Sequence, residues 1–176
     1  IGNLSGSDYR LNMGNSGTGS RLLMGLIAGS DVEATILGDE SLSKRPMKRI
    51  IKPLTKTGAV FDNPSNNNLP IKIRGSKIPL PLKYISPVAS AQIKSSILLT
   101  GLSSTGNTTV IEPTLSRDHT ERMLKYLGAN ISTTQLPNSS WKIDLEGLPL
   151  LKSLNIEIPS DPSSAAFPIV ASIVTP

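Results

Sequence analysis

The chain has no cysteine, one histidine and few aromatic residues: two Phe, three Tyr and one Trp, 3% of the sequence. Without cysteine there is no disulfide, no thiolate nucleophile and no Cys-based zinc site. One histidine rules out a multi-histidine metal centre within the chain. Scarce aromatics argue against the stacking platforms that bind single-stranded nucleic acid. No apolar run reaches the length of a membrane span, and no signal-peptide pattern opens the chain. The first residue is Ile1 rather than Met, and Pro176 ends an apolar segment, so a fragment of a longer soluble protein is expected.

What is present is globular: 176 residues, 38% hydrophobic, 18% charged, with a formal net charge of +5. The core has to be built from Leu, Ile, Val and Ala. The densest basic cluster is Lys44, Arg45, Lys48, Arg49 and Lys52, too short for a basic tail. Spread-out positive charge of this kind suits an anionic small molecule at least as well as nucleic acid.

The most informative stretch is Asn15-Ser16-Gly17-Thr18-Gly19-Ser20-Arg21, a polar, glycine-rich turn running straight into Leu22-Leu23-Met24-Gly25-Leu26-Ile27-Ala28. A helix start carries unpaired N–H groups and partial positive charge, and Gly17 and Gly19 allow an anion to approach the backbone. Arg21 in the first turn is unfavourable against the helix dipole unless it has a partner. The stretch by itself fits two readings, a capped core helix with a surface arginine or an anion site.

The apolar pattern predicts a buried helix from Ser16 to Ala28 and a strand from Val32 to Leu37. A second helix is expected to open at Lys44-Arg45-Pro46, with Met47, Ile50, Ile51 and Leu54 on one face, and to end at Gly58. Strands follow at Ala59-Val60-Phe61, Ile71 to Arg74 and Leu80 to Ile85, with a loop from Asn63 to Asn68. Then the pattern restarts. Ser90-Ala91-Gln92 opens an apolar helix to Gly101, Asn107 to Ile111 is a strand, and Arg117-Asp118-His119-Thr120-Glu121 opens a further helix. Gly128-Ala129-Asn130-Ile131 ends that helix and begins a strand. Gly29 matches Gly101, Arg45 matches Arg117 and Gly58-Ala59 matches Gly128-Ala129, an offset of about 70 residues that marks a repeated unit. A third copy begins at Ser160-Asp161-Pro162-Ser163-Ser164-Ala165-Ala166, with Asp161 as helix cap and Pro168 set to kink the helix or delay its start. If the copies pack around a common axis, their polar helix starts converge on one anion site.

Five ordered motifs then carry a resemblance that covers nearly the whole chain. They are Gly14-Asn15-Ser16-Gly17-Thr18 with Arg21 to Leu26, Gly38-Asp39-Glu40-Ser41-Leu42-Ser43-Lys44-Arg45-Pro46-Met47, Pro87-Val88-Ala89-Ser90-Ala91-Gln92-Ile93-Lys94, Arg117-Asp118-His119-Thr120-Glu121-Arg122-Met123-Leu124, and Asp161-Pro162-Ser163-Ser164-Ala165-Ala166-Phe167. Together they resemble the 5-enolpyruvylshikimate-3-phosphate (EPSP) synthase family, in its bacterial class II branch. The resemblance implies an α/β fold: an inside-out repeat lobe with buried helices and outer sheets, built from repeated βαβαββ-type units. Residues 1–176 would be most of the first of two lobes. The implied reaction transfers the enolpyruvyl group of phosphoenolpyruvate to the 5-hydroxyl of shikimate 3-phosphate, without metal or cofactor. The implied setting is a cytoplasmic monomer that binds neither nucleic acid nor membrane.

By the same resemblance, Gly17, Arg45 and Gln92 face phosphoenolpyruvate, and Ser90, Ala91, Gln92 and Arg117 face shikimate 3-phosphate. Asn15, Thr18 and Arg21 shape the pocket. Asp118, His119 and Glu121 are expected to cap and pack a helix turn rather than to catalyse, and Lys94 fits a structural role as well as a functional one. The acid–base groups are expected in the missing lobe, so no catalytic residue is assigned within the chain. Glyphosate occupies the phosphoenolpyruvate site in this family, and tolerant class II members carry Ala where this chain has Gly17. Leu22 stands where sensitive relatives of the other branch have Pro. The rivals are the related enolpyruvyltransferase acting on a UDP-sugar, which usually carries a cysteine absent here, and a non-catalytic repeat domain that binds anions or RNA.

Overall fold

The structure is a computed structural model that describes residues 5–62, 67–158 and 161–175. Residues 63–66 of the expected loop, and Ser160 of the third copy, lie outside them. The first repeat runs β1 (Ser5–Asn12), α1 (Gly17–Ala28), β2 (Asp31–Leu37), a short α2 (Glu40–Ser43), α3 (Lys48–Thr55), β3 (Val60–Asp62) and β4 (Ile71–Arg74). The second runs β5 (Lys83–Ile85), α4 (Ala91–Gly101), β6 (Thr108–Glu112), α5 (His119–Tyr126), β7 (Ile131–Gln135) and β8 (Trp141–Leu145), followed by α6 (Pro162–Val174). The two four-stranded sheets have the same topology, ordered β1-β2-β4-β3 and β5-β6-β8-β7. In each, the first pair is parallel and the other two pairs are antiparallel. The helix before the third strand of each repeat is followed by a glycine with positive φ, Gly58 at 99° and Gly128 at 98°. Only glycine adopts that conformation without strain, which explains why the pair stands out in the sequence.

Helices α1 and α4 lie inside and the sheets outside. In α1, Met24, Ile27 and Ala28 are buried, and in α4 so are Ile93, Ile97 and Leu98. Strand β4 alternates strictly, with Ile71 and Ile73 inward and Lys72 and Arg74 outward. Both central helices are capped as the sequence predicts: Ser16 Oγ accepts the Gly19 N–H at 3.2 Å, and Ser90 Oγ accepts the Ile93 N–H at 3.5 Å. They touch backbone to backbone. A Cβ built on Gly25 would lie 2.2 Å from the Ser96 carbonyl oxygen, and one on Gly29 would lie 2.8 Å from that of Thr100. The Thr100 hydroxyl donates to the Gly25 carbonyl at 2.7 Å, closing the contact.

Several elements depart from expectation. Arg45 and Arg117 do not open helices. Asp39 caps α2, Pro46 carries no N–H to continue it, and α3 starts afresh after Met47, so Arg45 sits on the connection. Arg117 likewise precedes α5, whose first residue is His119. The strand expected from Leu80 shrinks to Lys83–Ile85, because Pro79 and Pro81 cannot donate to a ladder. Strand β8 is the closing strand of the expected βαβαββ unit, and its residues, with Ile143 and Leu145 buried, were not located in advance. Helix α6 begins at Pro162 and passes through Pro168, so its start is not delayed. Its Phe167 and Ile173 are 81% and 76% exposed.

The α1–α4 contact generates a prediction. Gly25→Ala must push the two helices apart, at about 1–3 kcal/mol for overpacking and more if the sheets resist. The expected outcome is a lower urea midpoint with an unchanged slope; an unaltered midpoint would mean that the helices are not in backbone contact.

Candidate functional site

The starts of α1 and α4 and the connection before α5 border an open cavity of about 670 Å³. Thr18 and Leu22 line it from α1, Ser90, Ala91, Gln92 and Ser95 from the start of α4, and Ser116, Arg117, His119 and Thr120 from around α5. As N-cap, Ser90 uses its oxygen as an acceptor and keeps its O–H to donate. Ala91, the first helical residue, has a backbone N–H with no carbonyl partner inside the helix.

Beside the cavity, one neutral side chain ties the two helix starts together. Gln92 Oε1 accepts from Arg21 Nη1 at 2.9 Å and from Arg49 Nη2 at 2.8 Å, while Gln92 Nε2 donates to Thr18 Oγ1 at 2.8 Å. A second chain of bonds holds Arg45. Its Nη2 donates to Asn15 Oδ1 at 2.6 Å and to Ser41 Oγ at 3.4 Å, and Asn15 Nδ2 donates to Asp39 Oδ2 at 2.7 Å. The Leu42 N–H, then the Asn15 amide, and to a smaller degree the Arg45 charge hold the Asp39 carboxyl below the usual carboxylate range. Arg21 is 8% exposed and its Nε has no partner. Burial first, then repulsion from Arg49 and Arg45, lowers its pKa.

The arginines are not neutralised. No carboxylate lies within ion-pair distance of Arg21, Arg45, Arg49 or Arg117 among the described residues. Gly17, buried at the start of α1, adjoins two of them. A Cβ there would lie 2.9 Å from Arg45 Nη1 and 3.5 Å from Arg21 Nη1. The array therefore combines guanidinium forks, unused helix-start N–H groups and space, which is what a small polyanion requires.

A family-model match to residues 2–176 decides the family: it is the model described as EPSP synthase (3-phosphoshikimate 1-carboxyvinyltransferase). The chain belongs to the EPSP synthase family. It is 53% identical over its full length to the 3-phosphoshikimate 1-carboxyvinyltransferase of Parvibaculum lavamentivorans and 49% identical to that of Rhodospirillum rubrum. It spans 39% of the length of each. A solved EPSP synthase structure from Acinetobacter baumannii matches with a TM-score of 0.80 at 45% identity, covering 95% of this chain and 37% of that one. The α/β inside-out fold expected from the motifs is therefore that of an EPSP synthase.

Within this EPSP synthase fold, the residues singled out from the sequence gather in two adjoining groups. Asn15, Thr18, Arg21, Arg45 and Gln92 belong to the bonded array, with Gly17 beside Arg45 and Arg21, and Ser90, Ala91, Gln92 and Arg117 line the cavity. Two participants were not singled out. Arg49 belongs to a basic cluster that reads as a solvated face, and Asp39 reads as a turn residue. The spacing of four between Arg45 and Arg49 was the one available signal. Among the described residues of α6, none lines the cavity.

The motif after Arg117 divides. His119 lines the cavity, and Asp118 makes no side-chain capping bond, contrary to the expected cap. Glu121 packs inward as expected. Lys94, which is 1% exposed, places Nζ 2.9 Å from Glu112 Oε1 and 2.6 Å from Glu121 Oε1. Glu112 also accepts the Ser116 N–H at 2.9 Å and the Ser116 hydroxyl at 2.7 Å. This buried cluster resolves Lys94 as structural: it pins the connection that carries Arg117. Lys94→Met leaves two buried carboxylates without a cation and is expected to cost about 3–5 kcal/mol. Urea unfolding measures it, with Lys94→Met/Glu112→Gln/Glu121→Gln expected to regain part of the loss. Equal stability of Lys94→Met and the parent would contradict the buried pairing.

Proposed function

We propose that the chain is the anion-binding part of a 3-phosphoshikimate 1-carboxyvinyltransferase, which transfers the enolpyruvyl group of phosphoenolpyruvate to the 5-hydroxyl of shikimate 3-phosphate and releases phosphate. The observation that carries this reading is a set of arginines held only by neutral partners, next to a cavity lined by helix-start donors. Both substrates are polyanions, and each would supply the missing negative charge. Arg45 and the Gly17 backbone hold phosphoenolpyruvate. Ser90, Ala91 and Arg117 hold shikimate 3-phosphate, and Gln92 stands between the two. Transfer by addition and elimination needs both anions brought together without intervening water, which is the task of this array. The proton-transfer groups belong to parts of the enzyme beyond these residues. The whole enzyme is read as a cytoplasmic monomer that needs no cofactor.

Arg45→Ala, in a full-length enzyme containing this segment, should remove about 2–5 kcal/mol of transition-state binding, read as a fall in kcat/KM for phosphoenolpyruvate. An unchanged kcat/KM would remove Arg45 from the site. Residues 1–176 alone are expected to release no phosphate from the two substrates, because loss of a positioned acid or base costs on the order of 10²–10⁴-fold for each group. Turnover near that of the full-length enzyme would place the proton-transfer groups within the chain.

Gly17 offers a separate test with glyphosate. The methyl of Gly17→Ala would meet the Arg45 guanidinium as well as any occupant of the site. The parent is expected to be inhibited. The Ala form should show a glyphosate inhibition constant raised by roughly 10-fold or more relative to its KM for phosphoenolpyruvate. The same ratio in both forms would refute the steric account.

A further inference from the structure

Arg49 lies in the first turn of α3, on the element that follows the Arg45 connection. Arg49 is itself exposed, like its sequence neighbours Lys48 and Lys52, and on charge pattern alone it reads as one more cation of a solvated face. The structure instead sends its side chain across to α4, where Nη2 meets Gln92 Oε1 at 2.8 Å. The same oxygen takes Arg21 Nη1 at 2.9 Å. An amide oxygen has two lone pairs, and both are occupied by cations. This fixes the amide orientation, leaving the Nε2 side to face Thr18 and the cavity.

Two guanidiniums on one neutral acceptor repel each other. Arg45 adds a third charge, since the point 2.9 Å from its Nη1 is also 3.5 Å from Arg21 Nη1. Arg21 thus connects Arg45 beside Gly17 with Arg49 beside Gln92. Arg21 is buried with an orphaned Nε, and none of the three has a carboxylate at ion-pair distance among the described residues. Water screens the exposed Arg49, but the buried Arg21 lacks that relief, and a bound anion would compensate it. The guanidinium of Arg49 uses one bond to Gln92, which leaves donors for that anion.

We infer that Arg49 is a third guanidinium of the phosphoenolpyruvate side of the site, where it locks the Gln92 amide and raises affinity for the phosphate-bearing three-carbon substrate. The inference rests on the substrate assignment made above. Its role differs from that of Arg117, which lines the cavity and bears on shikimate 3-phosphate.

The experiment uses the full-length enzyme carrying Arg49→Gln, Arg49→Lys or, as reference, Arg45→Ala, with matched circular dichroism and urea midpoints as the test of folding. Arg49→Gln is expected to raise the KM for phosphoenolpyruvate about 10-fold, the scale of one charge-assisted hydrogen bond, with the KM for shikimate 3-phosphate within about twofold of the parent. Its KM for phosphoenolpyruvate should also rise less steeply with added salt. Arg49→Lys keeps the charge without the fork and should recover part of the loss. An unchanged KM for phosphoenolpyruvate in Arg49→Gln, beside a raised one in Arg45→Ala, overturns the inference and leaves the substrate assignment standing. Equal rises in both KM values overturn it too, because Arg49 would then serve the whole pocket. If Arg45→Ala is also without effect, the substrate assignment itself fails.

Discussion

The close approach of α1 and α4 is the constraint on which the rest depends. Gly25 lies against the Ser96 peptide, and the Thr100 hydroxyl bonds the Gly25 carbonyl across the interface. A side chain at that point would hold the helices further apart. At the observed distance, Gln92 on α4 reaches Thr18 and Arg21 on α1, and two helix starts that belong to different repeats become one polar surface. The outer sheets serve this contact: their inward faces, Ala34, Ile36, Ile71 and Ile73 on one side and Val110, Ile143 and Leu145 on the other, cover the buried helices.

Around that contact the molecule separates two ways of handling charge. In the Lys94 cluster, one ammonium is enclosed between the carboxylates of Glu112 and Glu121, so its charge is met inside the protein and serves to fix the connection that carries Arg117. In the arginine array the charges are left unmatched and share neutral acceptors. Of these arginines only Arg21 is buried, and a buried charge without a counter-ion is expensive, which sets this array beside the open cavity apart from the paired Lys94. Asp39 completes the contrast. It acts on Arg45 through Asn15 rather than directly, which holds the guanidinium in place without forming an ion pair with it.

The repeat gives this arrangement its economy. Each copy contributes a parallel strand pair, a buried helix with a serine cap, a connection carrying an arginine, and an antiparallel hairpin ladder. Packing two copies along the faces of α1 and α4 brings the equivalent polar starts together. Arg45, on the connection before α3, is held by Asn15, while Arg117, on the connection before α5, lines the cavity together with Gln92. The asymmetry between copies is where function enters: Gly17 in the first has its counterpart among Ser90, Ala91 and Gln92 in the second.

Local chemistry settled much of this from the sequence. Ser16 and Ser90 compete well for helix N–H groups, apolar residues follow without interruption, and Gly58 and Gly128 are needed where φ is positive, so the central helices, their ends and the repeat could be read directly. Motif resemblance likewise named Gly17, Arg45, Ser90, Ala91, Gln92 and Arg117. Only the tertiary structure decided the rest. Arg49 looks like one more surface cation until α3 packs beside α4 and carries its guanidinium to Gln92. Lys94 could stand in a site or in a core until Glu112 and Glu121, which are 18 and 27 positions away in sequence, close on it. Arg45 and Arg117 look like helix-start residues until Pro46 and the start of α5 at His119 place them on connections. The physical reason is the same in each case: capping and backbone conformation depend on neighbours along the chain, whereas the partner of a long charged side chain depends on which distant helix arrives beside it.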